Sequence, residues 1–253
     1  MLTADTLYQT PHKIWKILLD EQAHYAVLEV RDEDLREAFF VAVDWQKGEV
    51  LWDEGYLEEE WWISLAGVSD GALFAHLLHD EQEPTPKALL ALGIAEAEGL
   101  WEIPDTALLS VSPHALQVSQ SGAEHWLSPQ TGEPLSQTPS KPPPEPSWQM
   151  PARYLPEEGY FETVAAFLKT RGIEAIGAID YWETGQYLCI SFYELEGIYY
   201  RNRLLILTRE GQEAFHRILQ EGAKGIGTEA FALQGPYLFY IQHKNTLQRI
   251  SLA

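Results

Sequence analysis

The stretch FVAVDWQKGEVLW (Phe40–Trp52) decides how this chain is read, because it comes back. Forty-nine positions on, LLALGIAEAEGLW (Leu89–Trp101) lies over it without a gap. In the first copy an apolar strand ends at Asp44, the chain turns through Gly48, and a second strand ends in Trp52. The glycine suits a turn position with positive φ, which a side chain resists. HWLSPQTGEPL (His125–Leu135) repeats strand, turn and glycine with the same four-residue approach. LLILTREGQEAF (Leu204–Phe215) repeats them with one residue fewer and ends in Phe215. Gly48, Gly132 and Gly211 lie roughly 80 residues apart, about twice the period of a propeller blade. The copy ending at Trp101 then falls between the first two, with its turn glycine displaced. The terminal indole, or Phe215, is expected to plug a gap between neighbouring sheets.

The surrounding sequence has the same cadence. IWKILLD (Ile14–Asp20), HYAVLEVRD (His24–Asp32), REAFFVAVDW (Arg36–Trp45) and EVLWDEG (Glu49–Gly55) follow one another as short strands, at spacings of about ten residues, the mark of antiparallel sheets rather than βαβ units. WWISLAGVSDGALFAHLLHD (Trp61–Asp80) continues them, with Ser69, Asp70 and Gly71 as a hairpin turn. Seven prolines then fall between Pro134 and Pro151. Such a stretch favours extended polyproline geometry and reads as a linker or surface strap. PEEGYFETVAAFLKTRG (Pro156–Gly172) is the convincing helix, with acidic residues at its start and Lys169, Arg171 and Gly172 at its end. Phe161, Val164, Ala165 and Leu168 share one face of it. Strands resume in EAIGAIDYW, QYLCISFYE, YYRNRLLIL, YLFYIQHK and TLQRISL.

These features predict an all-β, propeller-like fold of about five blades of short antiparallel strands, with one inserted helix. Two antiparallel β-sandwich halves are the alternative. The expected organisation is residues 1–135 as a first group of blades, 136–155 as the proline-rich strap, 156–172 as the inserted helix, and 173–253 as a second group continuous with the first. A small sheet cannot bury both its faces alone, so stacking is the expected remedy. A ring of such sheets can close by the two ends of the chain sharing one sheet, with IWKILLD as the opening strand.

Composition narrows the function. The formal charge is −21, from 38 acidic and 17 basic residues. That field repels phosphate backbones and anionic lipid, and no basic patch larger than HKIWK (His12–Lys16) offsets it. Neither nucleic acid nor a membrane is therefore expected as a partner. No run of eighteen apolar residues occurs, the start lacks a secretion pattern, and a single cysteine forbids an internal disulfide. A cytoplasmic location is expected. Cys189, in YLCISFY, reads as a small buried hydrophobe. Nine Trp, twelve Tyr and nine Phe read mainly as packing between sheets.

The unit AVDWQKGEVLW resembles the strand, Asp, turn, Gly, strand, Trp repeat of quinoprotein-type (PQQ-like) β-propellers. The order WW (Trp61, Trp62), PKALLALGIAEAEGLWE, proline strap, helix, then NRLLILTREGQ…GIGTEAFALQGPYLFYIQHKNTLQRISL is similar to an uncharacterised bacterial family with a propeller-like fold. The resemblance implies a fold and no reaction. Quinone-using members need a calcium site and commonly a pair of adjacent cysteines. Cys189 is alone and no calcium-loop spacing occurs, so no cofactor is carried over.

Candidate sites are few. GAKGIGT (Gly222–Thr228) lacks the order of a phosphate loop. His76 and His79 would point to opposite faces of a strand, leaving one as a ligand-binding candidate and no metal site. Asp180 interrupts an apolar strand beside Tyr181 and Trp182, rings that could stack on a sugar, and is the catalytic candidate. Asp44 is second, but its place in the repeat favours capping a turn. Trp61, Trp62 and Tyr181 are ligand-binding candidates, one ring of the Trp pair facing inward and the other solvent. The expectation is a non-catalytic binding or scaffolding protein presenting loops to a protein or small-molecule partner. The alternative is a glycan-acting hydrolase with a carboxylate pair in a central pocket.

Overall fold

The computed structural model describes residues 1–20, 22–55, 61–79, 85–136, 148–227 and 230–253. Strand β1 (Ala4–Gln9) is followed by a first sheet, β2 (Lys13–Asp20), β3 (Tyr25–Asp32), β4 (Glu37–Asp44) and β5 (Glu49–Gly55). A second sheet holds β6 (Ile63–Ser69), β7 (Ala72–Leu78), β8 (Pro86–Gly93) and β9 (Gly99–Pro104), and a third β10 (Thr106–Ser112), β11 (Ala115–Gln120) and β12 (Ala123–Leu127). A fourth contains β13 (Ala152–Tyr154), then after helix α1 (Gly159–Lys169) β14 (Ile176–Glu183), β15 (Tyr187–Glu196), β16 (Tyr199–Thr208) and β17 (Glu213–Ala223). The fifth runs β18 (Phe231–Gln234), β19 (Tyr237–Gln242), β20 (Thr246–Ser251) and is completed by β1. Among the described residues every strand pairing is antiparallel, and all but β1 with β20 join strands consecutive in sequence. Among the described residues the chain is all-β, in five antiparallel sheets of three to five strands, the kind of sheet from which a propeller-like fold is built.

Two compact units result, Thr10–Pro146 and Met1–Gln9 with Ser147–Ala253. The first nine residues thus leave the group in which the sequence reading put them. Ala4–Gln9 spends its ladder bonds on β20, from Ala4 opposite Ile250 to Gln9 opposite Thr246. IWKILLD is not the closing strand but the first strand of the first sheet.

In the Thr10–Pro146 unit, alternation along the strands explains the stacking. In β7, Leu73, Ala75 and Leu77 join a core with Val27, Phe40 and Ala42 of the first sheet. Their neighbours Ala72 and Phe74 join a second core with Leu116, Val118 and Leu127 of the third sheet. β8 divides the same way, Ala88 and Leu90 to one side, Leu89 and Ala91 to the other. Side chains of a strand alternate between faces, so a sheet apolar on both needs cover on both. Three sheets stacked in succession meet that need, where a two-sheet sandwich would leave one such face wet.

The other unit solves it differently. Cys189, Leu204 and Ile206 of the fourth sheet pack with Leu233, Leu238 and Ile250 of the fifth. The opposite face, Ile179, Ile190, Phe192, Leu205 and Leu207, is covered by Phe161 and Leu168 of the helix, with Val164 and Ala165 at its margin. The predicted apolar helix face is the packing face. The helix begins at Gly159, three residues later than the first predicted position, with Glu158 in extended conformation as its cap. The strap is partly strand, Gln149 bridging Leu233 and Ala152–Tyr154 pairing with β14. Residues 137–147 of the strap, and the acidic runs at 58–60 and 80–83, lie outside the described residues.

The sequence repeat is present in the geometry. Gly48 N–H bonds Asp44 O at 2.8 Å, Gly132 N–H bonds Ser128 O at 2.9 Å, and Gly211 N–H bonds Thr208 O at 2.9 Å. The three glycines have φ of 75°, 67° and 82°. In the copy ending at Trp101 the turn glycine is replaced rather than displaced. Ala97, forty-nine positions after Gly48, takes the same left-handed conformation with φ 55°. The indoles match too. Trp52 Nε1–H donates to Ile94 O, and Trp101 Nε1–H to Pro129 O at 3.0 Å. Ile94 and Pro129 occupy the position of Trp45 in their own copies, so each indole reaches the same point of the following sheet.

Candidate functional site

Polar residues, buried or half-buried in the apolar strands, recur at one place. Tyr25 pairs with Asp44, Ala72 with Gly93 and Tyr187 with Thr208, the strand ends from which the repeated turns start. Four residues after each stand Glu29, His76 and Ser191. Their cross-strand partners are Lys16, Ser64 and Asp180. From each pair at least one member grips the strand that opens the next sheet. Glu29 Oε2 accepts the Leu65 N–H at 2.8 Å while Lys16 Nζ donates to Leu65 O at 2.6 Å. His76 Nε2 accepts the Leu108 N–H at 2.8 Å. Asp180 Oδ2 accepts the Ala230 N–H, just before β18, at 3.0 Å. Leu65 and Leu108 each precede a register shift in their strand. A bulge takes backbone groups out of the ladder, and a buried N–H without a partner costs about 1–3 kcal/mol, so a side-chain acceptor belongs there.

Asp180 is therefore built into a clamp. It is buried, and Arg153 meets it with two parallel bonds, Nε to Oδ1 at 2.7 Å and an Nη–H to Oδ2 at 2.9 Å. Arg153 also donates to Gly227 O at 2.6 Å, and Gly227 N–H donates to Tyr193 Oη at 3.0 Å. The GAKGIGT loop is thus held by Arg153 and Tyr193 as far as Gly227, Thr228 lying outside the described residues. Ser191 turns to Asn202, whose Nδ2 donates to its hydroxyl at 3.1 Å. A glycosidase acid must be free to hand a proton to a leaving group. Three N–H donors already occupy the two oxygens of Asp180.

Tyr181 lies on the other face of β14, in the helix-side cluster, so the structure does not bring it to Asp180. Its hydroxyl donates to Glu183 at 2.9 Å, and burial followed by that carboxylate pushes the phenol up to about 12. Trp61 and Trp62 precede β6 rather than lying in it, so strand alternation does not divide them, and both are half-buried. Trp61 and the exposed Trp15 flank the Arg31 guanidinium, at 4.9 and 5.1 Å from their ring centroids. Arg31 binds Glu29 at 2.7 Å and Ile63 O at 2.7 Å. His76 is held neutral, burial and the Lys16 ammonium pushing it down to about 4. His79 stands just beyond the end of β7. Asp44 caps its turn, Oδ1 accepting from Gln46 and Lys47 at 3.1 and 2.9 Å. Burial pushes the Cys189 thiol up to about 12.

Reasoning from sequence missed Glu29, Arg31 and Arg153. For the first two the signal was a Glu and an Arg spaced by two in the strand HYAVLEVRD, which places them on one face. Arg153 gave none, being one cation in a proline-rich segment.

A model for a domain of unknown function (DUF4905) matches residues 19–101, about a third of the chain, from the end of β2 to the middle of β9. No curated protein matches. Among solved structures, a chain from a structural and mechanistic analysis of two prolyl endopeptidases is 12% identical with a TM-score of 0.30, covering 90% of this chain and 37% of that one. The present chain spans little more than a third of that protein, and a likeness at this level carries no argument about activity. No helix among the described residues is long and apolar enough to cross a membrane.

Proposed function

We propose that this chain is a non-catalytic binding or scaffolding protein that presents the loops and edges of its sheets to a protein or small-molecule partner. One observation carries the reading. The side chains with the makings of catalysts, Asp180 and His76, spend their acceptors on backbone amides of the following sheet. Meanwhile large apolar side chains stand in solvent, Trp15 59% exposed and Ile198 81% exposed. A tryptophan so exposed is a residue type that interfaces favour as an anchor. The turn-glycine and indole repeat supports kinship with quinoprotein-type propeller repeats, without the quinone. The charge of −21 supports a partner other than nucleic acid or anionic lipid. The single buried thiol is compatible with a bacterial cytoplasm.

The test sets this reading against glycan hydrolysis. The protein and its Asp180→Asn variant are incubated with a panel of oligosaccharides and reducing ends are counted. No release above the protein-free control is expected from either. Release by the parent that Asp180→Asn abolishes, with an unchanged circular dichroism spectrum, would overturn the proposal.

A further inference from the structure

The clamp from the second sheet to the third differs from the other two in its acceptor, which is an imidazole. An imidazole nitrogen accepts only while it carries no proton. With Nε2 taking the Leu108 N–H, the ring proton stays on Nδ1. Among the described residues, few charged groups lie near the ring. From β2 comes the Lys16 ammonium, which opposes a second positive charge. From β3 comes Glu29, 3.5 Å from the hydroxyl of Ser64, the residue opposite His76 on β6. Glu29 is itself bound by Arg31. β8 sets Leu89 opposite His76, and β10 offers backbone at Leu108.

We propose that His76 is an acid-sensitive catch, whose protonation releases the Leu108 amide and loosens the β10–β12 sheet from the second sheet. The neutral ring holds the catch, so it is fully closed above the ordinary imidazole value of 6.5. It weakens as the pH falls from there toward about 4, where the half-buried ring takes up its proton. Across that interval the closed-to-open ratio falls about a hundredfold, because each tenfold rise in proton concentration favours the open, protonated form by up to about ten. Glu29 and Asp180, the acceptors of the other two clamps, are carboxylates bound to arginines rather than imidazoles.

His76→Gln keeps an acceptor oxygen and has no proton to gain. Hydrogen exchange of the Leu108 amide in the full chain, corrected at each pH for the intrinsic rate, reads the catch directly. Between neutral pH and pH 4 the parent's protection is expected to drop about a hundredfold, and that of His76→Gln to change by less than about threefold. Equal drops in both proteins, or none in either, would defeat the proposal. Should His76→Gln fail to fold, the parent's own NMR titration decides. The His76 ring and the Leu108 amide must move together at one depressed midpoint, and a ring that titrates while Leu108 stays protected overturns the idea.

Discussion

Glu29 and Asp180 belong to clamps at equivalent places in two different units, and each is a buried carboxylate tied to an arginine, yet they are assembled differently. Arg31 comes from the same strand as Glu29, two residues on, and its side chain is 11% exposed. Arg153 comes from β13, on the far side of the helix in sequence from Asp180, and its side chain is 24% exposed. One clamp is a local product of strand periodicity. The other needs a separate segment to be threaded to the sheet edge first. The fold fixes the place to be gripped, the backbone amide that opens the next sheet, and leaves the gripping chemistry open.

The largest expected effect follows from the burial of the arginines. Removing one partner of a buried ion pair costs about 3–5 kcal/mol, because the other charge is stranded. Glu29→Ala is expected at the upper end of that range and Asp180→Ala at the lower, Arg153 having more water. Urea unfolding followed by tryptophan fluorescence would measure both. A costlier Asp180→Ala would mean that the loop near Gly227, rather than the ion pair, carries the second clamp.

Next come the repeated turns. Holding a side chain in the left-handed region costs about 1–2 kcal/mol. Gly48→Ala should destabilise by about 1 kcal/mol, and Ala97→Gly should stabilise by about 0.5–1 kcal/mol after glycine's greater unfolded-state freedom is counted. Thermal melts of the two variants should shift in opposite directions. Shifts of the same sign would break the equivalence of the two turns.

Smaller still is the indole bond. Trp52→Phe and Trp101→Phe each delete one N–H to carbonyl bond and keep most of the ring, as Phe215 does in the copy that ends there. Each should cost about 1 kcal/mol, within about 0.5 kcal/mol of the other. The smallest effect is a null one. With its thiol pushed up to about 12, Cys189 in the folded chain should resist iodoacetamide at pH 8 and react only in denaturant. Labelling of the native protein would show that the core between the fourth and fifth sheets opens.

Much of the fold was legible because its signals are periodic. The alternating apolar runs, most of the turn residues and the face Phe161–Val164–Ala165–Leu168 depend on near neighbours, and that face packs as predicted. The first strand was not legible. ADTLYQ has no apolar periodicity, and β20 defines it only by pairing across almost the whole chain. The bonding of the candidate site was not legible for a related reason. A lone Asp or His in an apolar strand looks the same whether it serves a reaction or a backbone amide in the next sheet. Only the position of Leu108 or Ala230 distinguishes them, and that is a tertiary fact.

The pairing of Ala4–Gln9 with Thr246–Ser251 has a consequence for the making of the protein. Ala4–Gln9 leaves the ribosome well before Thr246–Ser251 and must remain without that partner until those residues are translated, while the three sheets of the Thr10–Pro146 unit can already assemble from local hairpins. During that wait an unzipped ribbon edge is offered to any passing chain. A product cut short before Thr246 would keep that edge open for good, which makes it the natural substrate of quality control.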